Sequence, residues 1–370
     1  MASVLLNSYM PTRVICGEDC VLRNAALFSS LGRACLIVAS SSAARKSGAL
    51  ADCRKALEEA GVRYTVFDGV EPNPQTKTCF AAGAAARETG ADFIVGIGGG
   101  SAMDAAKAAA IYAADPEMTH DGIYSRRIPA AAKPVVLIGT TAGTGSEVTG
   151  VSVLTNSDTG LKKSISGADC YARVSFCDYR YTCGVPAAIT RSTALDAFAH
   201  AAESLFSSMR NDLSALYALQ AISLLRSFFA DPALSSFPPS EAERNVWYAA
   251  SLYAGLAINI TGTVFPHTLG YHLTERYGVP HGLACAAFFP CLMQRAQKER
   301  PEQVGALENA LGLPAAEICG RIASVCRFDF SISEAEAREV AKRWENGIKN
   351  FDRSPGGFTC EDAVEAYLSL

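Results

Sequence analysis

The first half of the chain alternates short, nearly unbroken apolar runs with longer stretches whose apolar residues recur at helical spacing. Apolar runs at 34–39 (ACLIVA), 93–97 (FIVGI) and 134–138 (PVVLI) predict strands buried on both faces, and 63–67 (RYTVF) predicts a fourth. Helical spacing covers 44–60, 78–89 and 101–114; Gly61 and Gly90 stop the first two, and Gly98 to Gly100 precede the third. Strands alternating with helices imply a parallel sheet with helices on both faces, and in such sheets ligands sit at the carboxyl ends of the strands. After about Cys183 the texture changes. Helical patterns follow one another at 191–208, 212–229, 241–259, 280–298, 315–326, 334–350 and 359–367, with few strand signals. The expected organisation is an α/β domain over residues 1–185 and an all-α domain over 186–370, with the boundary near Val185 and Pro186.

One stretch calls for a membrane check. Residues 245–274 hold no Asp, Glu, Lys or Arg, yet include Asn259, Thr261, Thr263, Pro266, His267 and His272. A bilayer span needs about 20 mostly apolar residues without that polar load, so a buried helix leading into a polar site fits better. The 370 residues are 49% hydrophobic and 19% charged, which excludes a disordered chain. A net charge of −4 gives no footprint for nucleic acid and no basic face for anionic lipid. Thirteen cysteines, an odd number with no CxxC pair, do not form a disulfide framework. Reduced thiols in a cytoplasmic protein are expected, and the first residues show no signal-peptide pattern.

Two glycine-rich turns carry candidate chemistry. Residues 94–107 run from a strand through Gly98, Gly99 and Gly100 to Ser101 and a helix start. Such a turn lets backbone N–H groups and a helix N-terminus meet a phosphate, and Ser101 is expected to cap the helix and donate to the same anion. It is not a GxGxxG fingerprint; an ordinary turn rich in glycine is the alternative. The second turn, Gly139 to Thr149, sets the hydroxyls of Thr140, Thr141, Thr144 and Ser146 among glycines, which suits a polar ligand at a sheet edge. Ser40 to Ser42 follow the 34–39 strand, where dinucleotide folds place an acid on the ribose 2′-hydroxyl. Serine there, with Arg45 and Lys46 just beyond, favours a 2′-phosphate and hence NADP(H), with NAD(H) as the alternative; Ser42 capping a helix is compatible with either.

Four of the five histidines lie in the helical half. Asp196 and His200 stand at i and i+4, one turn apart on one helix face. Alone that pair reads more readily as a local hydrogen bond, or as two polar residues at a core edge, than as a metal site. His267 and His281 each follow a proline, the first inside the uncharged stretch and the second just past it. Buried polar groups need partners, and a divalent cation is one. One Asp with three His suits Fe2+ or Zn2+. His120 reads as a solvated loop residue, and His272 has no evident partner.

Taken together these segments are specific. Phe67-Asp-Gly-Val-Glu-Pro-Asn-Pro74, Gly98-Gly-Gly-Ser-Ala-Met-Asp-Ala-Ala-Lys107, Thr140-Thr-Ala-Gly-Thr-Gly-Ser-Glu-Val-Thr149, Ala194-Leu-Asp-Ala-Phe-Ala-His200 and Pro280-His-Gly282 span nearly the whole chain. The chain resembles the iron-containing (group III) alcohol dehydrogenases, relatives of glycerol dehydrogenase and, more distantly, dehydroquinate synthase. The resemblance implies a Rossmann-like dinucleotide-binding α/β domain and an all-helical metal-binding domain, in the architecture of dehydroquinate synthase. It implies Asp196, His200, His267 and His281 as metal ligands and as the catalytic centre. It puts the pyrophosphate turn on Gly98, Gly99, Gly100 and Ser101, the nicotinamide-side threonines on Thr140, Thr141 and Thr144, and a cofactor lysine on Lys162, with Lys163 adjacent. The NAD-selecting Asp of the family falls on Ser40. One departure stands out: where many members carry a histidine four residues after the third ligand, this chain has Tyr271, and His272 is about 100° further round a helix.

The implied chemistry is hydride transfer between NADP(H) and a small alcohol or aldehyde whose oxygen is polarised by the metal, in a cleft between the two domains. Phe198, Phe265 and Tyr271 are candidate pocket residues. Arg276 is a candidate for an anionic group, as in a semialdehyde-acid reductase, though a surface ion pair with Glu275 or a neighbour reads as the simpler role. A dehydroquinate-synthase-like lyase would need basic residues that 245–274 does not supply. The complete Asp/His/His/His set speaks against a metal-free reductase or a non-catalytic NADP-binding protein. Homodimers or larger homo-oligomers are usual in the family.

Overall fold

The computed structural model describes residues 6–40, 42–125, 132–234 and 238–370; Ser41, within the serine cluster, lies outside them. The chain divides into two compact units, Met10–Val185 and Pro186–Leu370, the second joined by residues 6–9. Those leading residues were expected with the α/β domain. They go with the helical unit, where the Asn211 and Asn259 amides donate to the carbonyls of Asn7 (3.3 Å) and Tyr9 (2.9 Å).

The α/β unit holds strands β1 (Arg13–Cys16), β2 (Ala34–Ser40), β3 (Arg63–Val70), β4 (Phe93–Gly98), β5 (Val135–Gly139), β6 (Val151–Thr155), β7 (Lys162–Ser166) and β8 (Val174–Cys177). Its helices are α1 (Ala26–Ser29), α2 (Ala43–Lys46), α3 (Ala49–Glu59), α4 (Thr76–Glu88) and α5 (Gly100–Ala114). Six strands form a parallel sheet in the order β1-β8-β5-β4-β2-β3, while β6 and β7 pair antiparallel beside it. Strand alternation explains why the sheet is covered twice. Leu36 and Val38 of β2 and Ile94 of β4 enter one core with Met103, Ala106 and Cys79, whereas Cys35, Ile37, Val95 and Ile97 enter another with Phe28, Leu50 and Leu57. The chain passes from β3 over β2 to β4, so the order reverses between β2 and β4, the kind of switch point at which such sheets bind ligands.

The helix expected over 44–60 is two helices, broken at Gly48 (φ +86°). Strands β1, β6, β7 and β8 were not read from the sequence; all are four or five residues long, and β7 carries two lysines and two serines. The hairpin is fastened to α5 by two charged residues of the motif that ends at Lys107. Lys107 is fully buried and its Nζ donates to Ser146 O and Oγ (both 2.8 Å), Thr149 O (3.0 Å) and Val151 O (2.8 Å). Asp104 accepts from Ser146 Oγ (2.7 Å) and from the Val153 N–H (2.9 Å).

The second unit holds α6 (Ala187–Phe206), α7 (Asp212–Leu224), α8 (Arg226–Ala230), α9 (Glu241–Thr261), α10 (Phe265–Tyr277), α11 (His281–Ala286), α12 (Phe289–Glu299), α13 (Pro301–Leu311), α14 (Ala315–Val325), α15 (Glu334–Ala341), α16 (Lys349–Asp352) and α17 (Cys360–Leu368). From Ala194 onward every residue of α6 is buried, because α7, α9, α11, α12 and α13 all pack against it. The single helices expected over 212–229, 280–298 and 334–350 are each interrupted, and α10 and α13 were not foreseen. Helices α9 and α10 share the uncharged stretch and bend by 112° across a break at Gly262 (φ +68°). Among the described residues no single helix is long and apolar enough to cross a membrane.

Replacing Lys107 by Met should orphan four oxygens and leave Asp104 without its buried countercharge. We expect a loss of about 3–5 kcal/mol in the α/β unit, read as an earlier denaturant midpoint by circular dichroism. An unchanged midpoint would show that these contacts do not hold the hairpin.

Candidate functional site

Three imidazoles converge on one carboxylate oxygen in the helical unit. The Nε2 atoms of His267, His200 and His281 lie 3.4, 3.9 and 3.9 Å from Asp196 Oδ1. Four donors bound tetrahedrally at about 2.1 Å stand about 3.4 Å apart, so the spacing suits one divalent ion. Asp196 Oδ1 and His267 Nε2 are buried and complete no hydrogen bond, the condition a shared cation relieves. The donors thus fit the Fe2+ or Zn2+ that their chemistry implies.

Each donor is positioned by local sequence. Asp196 and His200 share one face in the buried half of α6. The Gly262 turn and Pro266 set His267 in the first turn of α10, and Pro280 sets His281 at the first position of α11. Gly282 lets α11 lie against α6: a Cβ there would stand 1.8 Å from Ser192 O and 2.9 Å from Asp196 Cβ. His281 is the most accessible donor, its side chain 29% exposed against 3% for Asp196.

Sequence reading missed Glu203, which lies seven residues past Asp196 on the same helix face and is fully buried. Its Oε1 meets His267 Nδ1 at 2.5 Å, and its Oε2 accepts from the Val264 N–H at 2.7 Å. The i+7 spacing from Asp196 was the available signal. Burial opposes ionisation of Asp196, but His200, His267 and His281 outweigh it and hold its carboxyl well below the usual range. Burial pushes Glu203 up. Burial also opposes a charged His267, yet Cys285, Glu203 and Asp196 together raise its pKa well above the usual imidazole value. A proton held between Nδ1 and Glu203 leaves Nε2 as the face directed at Asp196.

In the α/β unit Ser40, Gly98, Gly99, Gly100, Thr140, Thr141 and Thr144 gather at the β2/β4 reversal, while Lys162 stands on β7. A Cβ on Gly98 would stand 3.1 Å from Ser40 Oγ, on Gly99 2.9 Å from Thr141 Oγ1, and on Gly100 2.6 Å from Thr144 Cγ2. The Thr140 N–H donates to Gly98 O at 2.9 Å. Ser40 Oγ and Thr140 Oγ1 are buried without hydrogen-bond partners. No side chain caps α5, whose N-cap is Gly99. Such a cradle fits an anionic dinucleotide. Lys162 pairs across the hairpin with Thr155 and is close enough to Asp104 to favour its ionised form, while Lys163 lies over the Tyr124 ring at 4.9 Å.

Several expectations need correction. Ser101 caps nothing: its Oγ accepts from the Asn73 N–H at 3.1 Å. Ser42 makes no side-chain cap either, and Arg45 is paired with Asp68. His120 pairs with Asp158 at 2.9 Å, and His272 is buried against Glu336 at 2.8 Å. Phe198 and Phe265 are core residues, the first against Phe229 and Phe289, the second stacked on Phe358, so neither lines a pocket. Tyr271 is half-buried and stacks on His281, 5.7 Å between centroids. Glu275 pairs with Arg343 at 3.0 Å, while Arg276 is close enough to Glu336 to favour its ionised form. Arg276 itself is exposed in the last turn of α10, nine residues or about 13 Å along the axis from His267.

Replacing Glu203 by Gln should weaken metal binding roughly 10–100-fold in a chelator competition, with the helical content unchanged. Equal affinity in the two proteins would remove Glu203 from the site.

The sequence matches the family described as iron-containing alcohol dehydrogenase over residues 11–179, and the C-terminal part of the Fe-containing alcohol dehydrogenase family over 190–330. It is 33% identical over 340 residues to the 1,3-propanediol dehydrogenase of Klebsiella pneumoniae, covering 88% of this chain and 84% of that protein. A sulfoacetaldehyde reductase of Bilophila wadsworthia is 31% identical over 246 residues, covering 66% and 63%. The crystal structure of an iron-containing alcohol dehydrogenase from Thermotoga maritima superposes with a TM-score of 0.90 at 32% identity, covering 99% of this chain and 100% of that one. The chain belongs to the iron-containing alcohol dehydrogenase family, oxidoreductases that interconvert alcohols and aldehydes.

Proposed function

We propose that the protein reduces small neutral aldehydes to alcohols with NADPH at a centre held by Asp196, His200, His267 and His281. The observation that carries this reading is the meeting of three Nε2 atoms at Asp196 Oδ1. Iron, with Zn2+ as the alternative, supplies Lewis-acid polarisation of the carbonyl oxygen, and the nicotinamide supplies the hydride. Asp196 provides the anionic donor, and the three imidazoles provide neutral ones. Glu203 holds the His267 ring so that Nε2 faces inward. Gly98 to Gly100 leave backbone N–H groups open to the pyrophosphate, with Thr140, Thr141 and Thr144 beside them. Tyr271 stacks on His281 where the family carries histidine, so Tyr271, a bound water or the cofactor ribose would pass the proton.

NADP(H) is favoured because Ser40 offers no carboxylate to a ribose 2′-hydroxyl and Lys46 is exposed nearby. A neutral substrate is favoured because Arg276 is far along α10; the relative named 1,3-propanediol dehydrogenase points the same way, and the one named sulfoacetaldehyde reductase points to an anionic aldehyde. Thirteen cysteines, an odd number without a CxxC pair, suit a reducing, cytoplasmic setting. A homodimer or larger homo-oligomer is the assembly the resemblance implies.

The test is NADPH consumption by anaerobically prepared, Fe2+-supplied protein, with butyraldehyde, lactaldehyde, glycolaldehyde and succinate semialdehyde, and with NADH and Zn2+ as parallel arms. Neutral aldehydes should turn over faster than the semialdehyde acid. Asp196→Ala should lose about a thousand-fold or more, several kcal/mol of barrier. A preference for NADH would contradict the Ser40 argument alone; full activity in Asp196→Ala would contradict the metal mechanism.

A further inference from the structure

Two cysteines stand directly opposite each other at the carboxyl end of the sheet. Cys16 closes the edge strand β1, Cys177 closes its neighbour β8, and the two are register partners. The pairing runs one bond past them, with the Gly17 N–H donating to Cys177 O at 3.1 Å. Register partners in adjacent strands have Cα atoms about 4.8 Å apart and side chains on one face, inside the roughly 4.4–6.8 Å that a disulfide spans. The thiols already meet, since Cys177 hydrogen bonds to the Cys16 sulfur. Their surroundings divide their roles. Cys16 is exposed and Cys177 is buried. The hydrogen bond from Cys177 holds the Cys16 thiol below its ordinary pKa, against burial and the nearby Glu147 charge. The third thiol of this corner, Cys20, is buried, and that burial pushes it up to about 12.

We propose that Cys16 and Cys177 form a reversible oxidation site, in which Cys16 meets a small hydroperoxide and Cys177 closes the disulfide. The site is independent of the metal centre. The Cys16 thiolate attacks one peroxide oxygen, the O–O bond breaks, and a sulfenic acid forms; the hydroxide released takes up the proton that Cys16 lost. The Cys177 sulfur then attacks the Cys16 sulfur, the S–O bond breaks, and the oxygen leaves as water with the Cys177 proton. The pair of thiols gives up two electrons, and one peroxide becomes two waters. A reducing compartment returns the disulfide to thiols, as a redox-sensing pair in such a setting requires. The bond would form beside the Gly139–Thr149 turn. Ser175, on the same face of β8 as Cys177, donates its Oγ to Glu147 O of that turn at 2.7 Å, and Thr141 and Thr144 of the same turn border the glycine cradle. The sequence alone did not suggest this, because Cys16 and Cys177 lie at opposite ends of the α/β unit and meet only through the pairing of β1 with β8.

The test treats full-length protein, supplied with redox-inert Zn2+ in place of iron, with a small excess of hydrogen peroxide. Remaining thiols are then blocked with N-ethylmaleimide and the peptides are mapped by mass spectrometry. The expected product is a peptide pair linked through Cys16 and Cys177, lighter by the hydrogens lost and returned to free thiols by dithiothreitol. Cys16→Ser should abolish the linked pair. Cys177→Ser should instead leave Cys16 as a sulfenic acid that dimedone traps, with Cys177→Ala as the substitute if the serine variant folds poorly. The wild-type map needs no variant. Wild-type Cys16 left unmodified, linked to Cys20, or driven to sulfinic acid without a link to Cys177 would overturn the proposal, as would a linked pair that dithiothreitol does not release.

Discussion

A carboxylate buried in the middle of a packed helix is the constraint from which the helical unit follows. Asp196 loses its hydration within α6, and an isolated charge there would neutralise or unfold its surroundings. It stays ionised because three imidazoles from three helices face it. The rest of the local architecture brings those rings in. The bend between α9 and α10 delivers His267, the proline before α11 delivers His281, and Gly282 lets the backbones approach. Glu203 carries the constraint one layer further, since a second buried carboxylate on α6 is tolerable only against His267 and the Val264 N–H.

The α/β unit meets a comparable demand with backbone rather than side chains. Three consecutive glycines remove every Cβ that would fill the space between Ser40, Thr141 and Thr144. The threonine turn is in turn held by Lys107 and Asp104, whose charges are absorbed by carbonyls, a hydroxyl and each other. Asp104 and Lys107 therefore serve packing, while the glycines and threonines border the candidate cofactor space.

Much of this was legible in the residues, for identifiable reasons. Strands β2, β4 and β5 are buried on both faces, so they stand out as unbroken apolar runs. The edge strand β1 and the β6–β7 hairpin do not, because they are short and partly exposed. Helix breaks at Gly48 and between α11 and α12 were hidden by helical spacing that continues through them. The four candidate donors drew attention because prolines and the i,i+4 pair mark them locally, and the family resemblance made them the proposed ligand set. Partners distant in sequence could not: His272 meets Glu336, 64 residues away, and Phe265 stacks on Phe358. Ser101 looked like a helix cap, but α5 begins at Gly100, and its hydroxyl serves Asn73 instead.

The central claim is that Asp196 and the imidazoles around it exist to hold a cation. Equilibrium dialysis of chelator-stripped protein against Fe2+ and Zn2+, with total metal measured, tests it most directly. The account predicts about one ion per chain for the wild type and little retained by a folded Asp196→Ala variant. A stripped wild-type protein that takes up no ion, or an Asp196→Ala variant that binds one as tightly, would contradict it.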